Sequence, residues 1–223
     1  MGWKEKVFND FRLYAVTDLR DERPKALQEI EAAYRGGADI LQLRSKVLSD
    51  AAFMRLGSRI KKIAGKKRKL FFVNDRIDLA LALGADGVHL GQEDMPVPVA
   101  RKLAERAGLK IWVGKSTHSL KQALAAVNEG VDYIGVGPVF ATPTKPHMRS
   151  VGLRFVKQAA RKIRIPWVAI GGIDRGNIRD VVAAGATRVA VVRAVFAAKD
   201  PESAAGELQH QLGRNMKCQN LLI

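Results

Sequence analysis

The chain has 223 residues, 47% of them apolar, and a formal charge of +16 from 38 Lys and Arg against 22 Asp and Glu. That length and apolar content suit one large α/β core. No run of eighteen apolar residues occurs and Cys218 is the lone cysteine, which excludes a membrane-spanning helix and an intramolecular disulfide.

The opening MGWKEKVFNDF has no apolar core of a secretory signal. The expected compartment is the cytoplasm, whose reducing conditions suit an unpaired thiol. A first strand is predicted at Leu13 to Val16, and a helix comes next on which Leu27, Ile30 and Tyr34 share a face. From there the chain repeats. Gly37-Ala38-Asp39, Gly84-Ala85-Asp86, Gly130-Val131-Asp132 and Gly185-Ala186-Thr187 each precede an apolar run, and their glycines stand 47, 46 and 55 residues apart. Each glycine reads as the cap that closes a helix before a strand. The runs they introduce are ILQL, GVHL, YIGVG and RVAVV, and between these lie Leu70 to Val73, Ile111 to Val113 and Trp167 to Ile170. Helical stripes recur at Leu120, Ala123, Leu124 and Val127, and at Ile178, Val181 and Val182. Pro98 and Pro201 fall near helix starts.

Six of the nine residues from Lys61 to Lys69 are basic, at a helix end just before a strand. Cations there complement the helix dipole, so a solvated helix end is expected, with weak polyanion binding as the alternative. Eight uniformly apolar strands alternating with helices predict a single (β/α)8 barrel over about residues 12–212, with 213–223 as a loose tail. A doubly wound open sheet is the alternative; the fourfold repeat favours closure.

In such a barrel the reactive groups lie at the C-terminal ends of the strands. The second strand runs into Gln42, Leu43, Arg44, Ser45 and Lys46, whose alternate members share a face and suit a diphosphate. The third ends in Asn74 and Asp75, and the fourth leads to Asp94. Adjacent parallel strands lie about 4.8 Å apart, so this acidic pair is placed to share a hard cation such as Mg2+; two solvated loop carboxylates are the plainer reading. The fifth strand ends near Ser116, and the sixth in GPVF and then Thr142, Pro143, Thr144 and Lys145. Gly171 and Gly172 offer bare backbone N–H groups after the seventh, and Val192 and Arg193 come after the eighth. The histidines are expected to be structural: His89 packed in a strand, His118 at a helix start, His147 in a loop and His210 on the last helix. No serine or cysteine nucleophile with a base is in evidence. A metal, phosphate clamps and no base point to departure of a phosphate leaving group.

QLRSK at 42–46, VND at 73–75, HLGQED at 89–94, GPVFATPTK at 137–145 and IGGI at 170–173, with YAVTD at 14–18, resemble the thiamine phosphate synthase family. The resemblance covers nearly the whole chain in order. TPTK after GP, with QLRSK upstream, is specific; IGG alone is common in phosphate-binding barrels. It implies a transferase of thiamine biosynthesis that joins 4-amino-2-methyl-5-hydroxymethylpyrimidine diphosphate to 5-(2-phosphoethyl)-4-methylthiazole, releasing diphosphate with Mg2+ as cofactor. Carried over by position, Gln42, Leu43, Arg44, Ser45, Lys46, Asn74, Ser116 and Lys145 hold the pyrimidine diphosphate, and Asp75 and Asp94 bind Mg2+. Thr142, Pro143, Thr144, Gly172, Val192 and Arg193 face the thiazole phosphate, with Lys145 at the junction. Arg44, Lys46 and Lys145 neutralise charge on the departing group. The thiazole nitrogen already carries a lone pair, which explains the missing base.

Two positions depart from the family pattern. Arg193 stands where serine is frequent, and Lys115 occupies a place that is often apolar. The related thiazole tautomerases resemble GHVF where this chain has GPVF, so their histidine position is Pro138 here. A non-catalytic RNA binder is the reading from another class; no aromatic-rich basic stripe supports it. The expected partners are therefore two small phosphorylated substrates, with neither nucleic acid nor membrane, and a homodimer is left open.

Overall fold

The computed structural model describes residues 1–19, 21, 24–144 and 147–219. The eight strands β1 (Leu13–Val16), β2 (Ile40–Leu43), β3 (Leu70–Asn74), β4 (Gly87–Leu90), β5 (Trp112–Thr117), β6 (Tyr133–Val136), β7 (Trp167–Ile170) and β8 (Val189–Val191) are all parallel and close in sequence order, β8 pairing with β1. The helices are α1 (Trp3–Asp10), α2 (Pro24–Arg35), α3 (Asp50–Lys67), α4 (Ile77–Ala82), α5 (Val97–Arg106), α6 (Leu120–Asn128), α7 (Gly152–Lys162), α8 (Ile178–Ala183), α9 (Arg193–Phe196) and α10 (Pro201–Gln219). The expected (β/α)8 barrel is the observed fold. No helix among the described residues is long and apolar enough to cross a membrane.

The repeat has a concrete local meaning. Gly37, Gly84, Gly130 and Gly185 all have positive φ, and the residue after each sends its N–H back five residues, as in Ala85 to Ala80 O at 2.8 Å. That is the Schellman closure of a helix. The aspartates of the triplets then cap neighbouring strand starts: Asp39 accepts from Arg12 N–H, Asp86 from Phe71 N–H and Asp132 from Val113 N–H. These acids belong to the N-terminal face of the barrel, away from the reactive end.

Two boundaries and one helix face differ from the expectation. β5 begins at Trp112 and runs out to Thr117, because the polar Gly114–Thr117 stretch pairs residue by residue with Tyr133–Val136. The chain from Arg214, expected to be loose, continues as helix α10 to Gln219, and 220–223 lie outside the described residues. Leu124 is exposed, and Ala126 takes its place in the buried face of α6.

Two apolar layers result. One lies between the strands and the helices; the other fills the barrel with Tyr14, Phe72 and Tyr133 among smaller residues. Gly114 makes room for the last of these, since a Cβ there would sit 2.1 Å from the Tyr133 ring. Helix α1, not foreseen in the sequence, closes the floor. Phe8 stacks on Trp112 with centroids 4.5 Å apart, and Phe11 meets Tyr14 and Tyr133 edge-on.

Candidate active site

All the predicted strand ends open on one mouth. Thr17 locks the first two together: its Oγ1 accepts from Arg44 N–H at 2.9 Å and donates to Arg44 O at 3.1 Å. Strand alternation then separates the five residues of the QLRSK stretch. Gln42 points into the barrel and is almost fully buried, donating to the Tyr14 hydroxyl at 2.8 Å. Leu43 points outward into the helix-facing layer, so its side chain faces away from the mouth. Arg44 pairs with Asp18. Ser45 turns its hydroxyl to its own loop, accepting from the N–H groups of Val47 and Leu48. Lys46 reaches Asp75, with Nζ 2.6 Å from Oδ2.

Asn74 and Asp75 sit beside β4, the Asp75 N–H donating to His89 O at 2.8 Å. Asp75 has φ +62°, a left-handed conformation that is uncommon outside glycine and clusters at functional sites. Its carboxyl shares a hydrogen bond with that of Asp94, and Asp94 is fixed in turn by Gly91 N–H at 2.5 Å. Burial alone would raise Asp75, but the bond from Asp94 and the Lys46 ammonium hold it below the ordinary carboxylate range. Burial and the neighbouring Asp75 carboxylate push Asp94 up. Of the two, Asp94 is therefore the one that keeps its proton to the higher pH. Two hard oxygen ligands in contact, with an ammonium beside them, fit a Mg2+ ion completed by water and phosphate oxygens. Among the described residues no group of three or more His, Cys, Asp or Glu makes a fuller protein cage.

The other side of the mouth is a cavity of about 400 Å³. Ser116, Thr142, Pro143, Thr144, Gly172, Val192 and Arg193 all line it, so seven predicted residues from four strand ends converge. The glycines are required there. Gly171 and Gly172 have φ +104° and +63°, and a Cβ on Gly172 would stand 2.6 Å from Ala141 O. Among the described residues the N–H groups of Gly172 and Val192 donate to no protein acceptor, and the Arg193 guanidinium has no carboxylate partner. Arg193 also borders a smaller recess of about 270 Å³ with Asp18 and Thr144. Bare N–H groups and an unpaired guanidinium make an anion cradle. Lys145, predicted to be catalytic, lies outside the described residues.

Several participants were missed in the sequence. Asp18 partners Arg44, although it stood within the quoted YAVTD. Tyr14 and Tyr133 looked like ordinary strand residues and carry polar contacts across the barrel. His89, expected to be packed core, bonds through both ring nitrogens, and the His118 ring donates to Gly137 O, holding the GPVF turn. Lys115 does turn away, pairing with Glu129 at 2.7 Å.

Comparisons with known proteins point one way. A family model described as thiamine monophosphate synthase matches residues 13–195. A thiamine-phosphate synthase of Nostoc punctiforme is 46% identical over 91% of this chain, and one of Thermus thermophilus is 47% identical over 90%. The chain spans 56% of the Nostoc protein, little over half its length, but 97% of the Thermus protein. The solved thiamine phosphate pyrophosphorylase of Pyrococcus furiosus superposes with TM-score 0.83 at 37% identity, covering 92% of this chain and 97% of that one.

Proposed function

The chain belongs to the thiamine monophosphate synthase family, and on that premise we propose that it joins an aminopyrimidine methyl diphosphate to a thiazole ethyl phosphate, releasing diphosphate. The observation that carries the reading is the division of one mouth into an acidic pair flanked by bound cations and, opposite, an open anion cradle. The pyrimidine lies toward Gln42, Asn74 and Ser116, and its diphosphate toward Arg44 and Lys46. The thiazole phosphate lies on Thr142, Thr144, Gly172, Val192 and Arg193.

The bond that breaks is the one between the exocyclic methylene carbon and the diphosphate oxygen; its electron pair leaves with the diphosphate. The thiazole nitrogen supplies the pair for the new carbon–nitrogen bond, so no base is required of the protein. The amino group on the pyrimidine stabilises the intervening cation, which makes the substitution dissociative. Asp75 and Asp94 would hold Mg2+, which supplies Lewis-acid neutralisation of the leaving group. Arg44 and Lys46 exchange their carboxylate partners for diphosphate oxygens, and Lys145 takes the junction between the substrates that the family resemblance implies. The remaining contribution is orientation of two bound reactants. A cytoplasmic setting agrees with this chemistry.

The deciding experiment mixes the purified chain with both phosphorylated substrates and Mg2+, following diphosphate release and the mass of the product. Stoichiometric diphosphate and thiamine phosphate are expected. A chain that isomerises a thiazole carboxylate phosphate but releases no diphosphate is a tautomerase, and the proposal fails.

A further inference from the structure

The two ends of the pyrimidine side are joined through the inside of the barrel. Gln42 Nε2 donates to the Tyr14 hydroxyl at 2.8 Å, the Tyr14 and Tyr133 hydroxyls are 2.9 Å apart, His89 Nδ1 is 2.9 Å from Tyr133 Oη, and His89 Nε2 is 2.9 Å from Ser116 Oγ. Five side chains from β1, β2, β4, β5 and β6 are therefore linked by one continuous run of hydrogen bonds. Its middle is buried: Tyr14 and Tyr133 are 1% and 0% exposed. We propose that Tyr14, Tyr133 and His89 are positioning residues that couple the hydrogen-bonding sense of Gln42 to that of Ser116.

The coupling comes from counting protons. Each phenol has one hydrogen to give, and a neutral imidazole has one N–H. With His89 neutral and the Gln42 amide donating to Tyr14, Tyr14 donates to Tyr133 and Tyr133 to His89 Nδ1. His89 then carries its hydrogen on Nε2 and donates to Ser116, whose own hydrogen is left for a ligand acceptor. Should the group at position 42 accept instead, every link reverses. His89 then carries its hydrogen on Nδ1, and Ser116 donates inward and meets the ligand as an acceptor. Mixed arrangements leave a buried hydroxyl unpaired or set two donors face to face, so the links turn together. Burial raises both phenols well above their ordinary pKa, which keeps them neutral and lets the chain reverse without moving net charge. Gly114 reserves the space that holds Tyr133 in line.

The functional consequence rests on the pyrimidine site proposed above. An aminopyrimidine presents ring-nitrogen acceptors beside an amine donor, so a site whose two ends are locked in complementary senses selects that pattern. A ring that swaps donor for acceptor at one end is left with a mismatch at one end whichever way the chain points.

The test separates the relay from the function. Nitrogen-15 NMR of His89 reads its tautomer directly. The wild-type chain is expected to show the Nε2–H form, and Gln42→Glu, with the introduced carboxyl titrated to its anion, the Nδ1–H form. In a Tyr133→Phe background the tautomer should no longer respond to Gln42→Glu. Tyr14→Phe cuts the neighbouring link and must give the same loss of response, which covers the case in which one variant does not fold. A tautomer that ignores Gln42→Glu, or that still tracks it across a cut link, overturns the proposal. In kinetics, Tyr133→Phe is expected to raise KM for the pyrimidine diphosphate about 10-fold while KM for the thiazole phosphate stays within about 2-fold; equal rises in both would mark a merely structural ring. A wild-type chain without synthase activity would sink the proposed function and leave the tautomer result standing.

Discussion

The two sides of the barrel mouth are prepared for anions in opposite ways. On the β2–β4 side the predicted charged groups are partnered within the chain: Arg44 with Asp18, Lys46 with Asp75, and Asp94 with Asp75 and Gly91 N–H. On the β6–β8 side the cradle is bare backbone, one loop carrying two threonines and a guanidinium with no carboxylate partner among the described residues. An unpaired cradle binds a phosphate with little rearrangement. A paired one must trade internal ion pairs for ligand contacts, which ties its affinity to whatever neutralises the acids it gives up. On the proposed function, the difference confines any metal requirement to one side and makes the two substrates respond to different perturbations.

The largest expected effect breaks the paired side. Asp75→Ala should lower turnover by on the order of 10²–10³ while leaving KM for the thiazole phosphate within a factor of about two; near-wild-type turnover at saturating Mg2+ would contradict the role given to it. Next, Gly172→Ala forces a Cβ to within 2.6 Å of Ala141 O at φ +63°, and Arg193→Ala removes the free guanidinium. Each should raise KM for the thiazole phosphate by about 10-fold without altering the Mg2+ dependence, as steady-state titrations of each substrate would show.

A pH titration sharpens the comparison further. Asp94 is raised, so in the metal-free chain it keeps its proton to higher pH than an ordinary carboxyl, whereas Asp75 is lowered and already ionised. The proposed metal binding would need both ionised and would displace that proton. Apparent Mg2+ affinity should therefore fall by about tenfold per pH unit below the raised Asp94 pKa and be flat above it, while thiazole phosphate binding stays level over the same window. The smallest effect is the control: Lys115→Ala removes the pair with Glu129, outside the mouth. Thermal melts should register about 1 kcal/mol or less, with both KM values unchanged.

Much of this was legible in the chain. Uniformly apolar strand runs and a recurring glycine cap place eight strand ends on one face. Asp75, Asp94 and the residues from Thr142 to Arg193 that line the cavity are therefore found directly after the apolar runs. The features that were not legible depend on contacts distant in sequence. Tyr14 and Tyr133 meet across 119 positions, and nothing local marks a strand tyrosine as a polar link rather than a filler. The polar Gly114–Thr117 stretch reads as loop until its partner strand is known. Helix α1 was hidden because its eight residues take their order from the rings it docks against.

That short helix has an implication for how the molecule is made. Its seat is assembled from Phe72, Trp112 and Tyr133, and Arg188 holds it by donating to Asn9 O across 179 positions and by lying over the Phe11 ring. A ribosome releases this cork ahead of the eight strands, yet the bottle neck it fits exists only once nearly every strand has emerged. A helix that precedes all eight strands in sequence is thus among the last elements to be seated, and loop-closure entropy on that scale makes its docking a late event in folding.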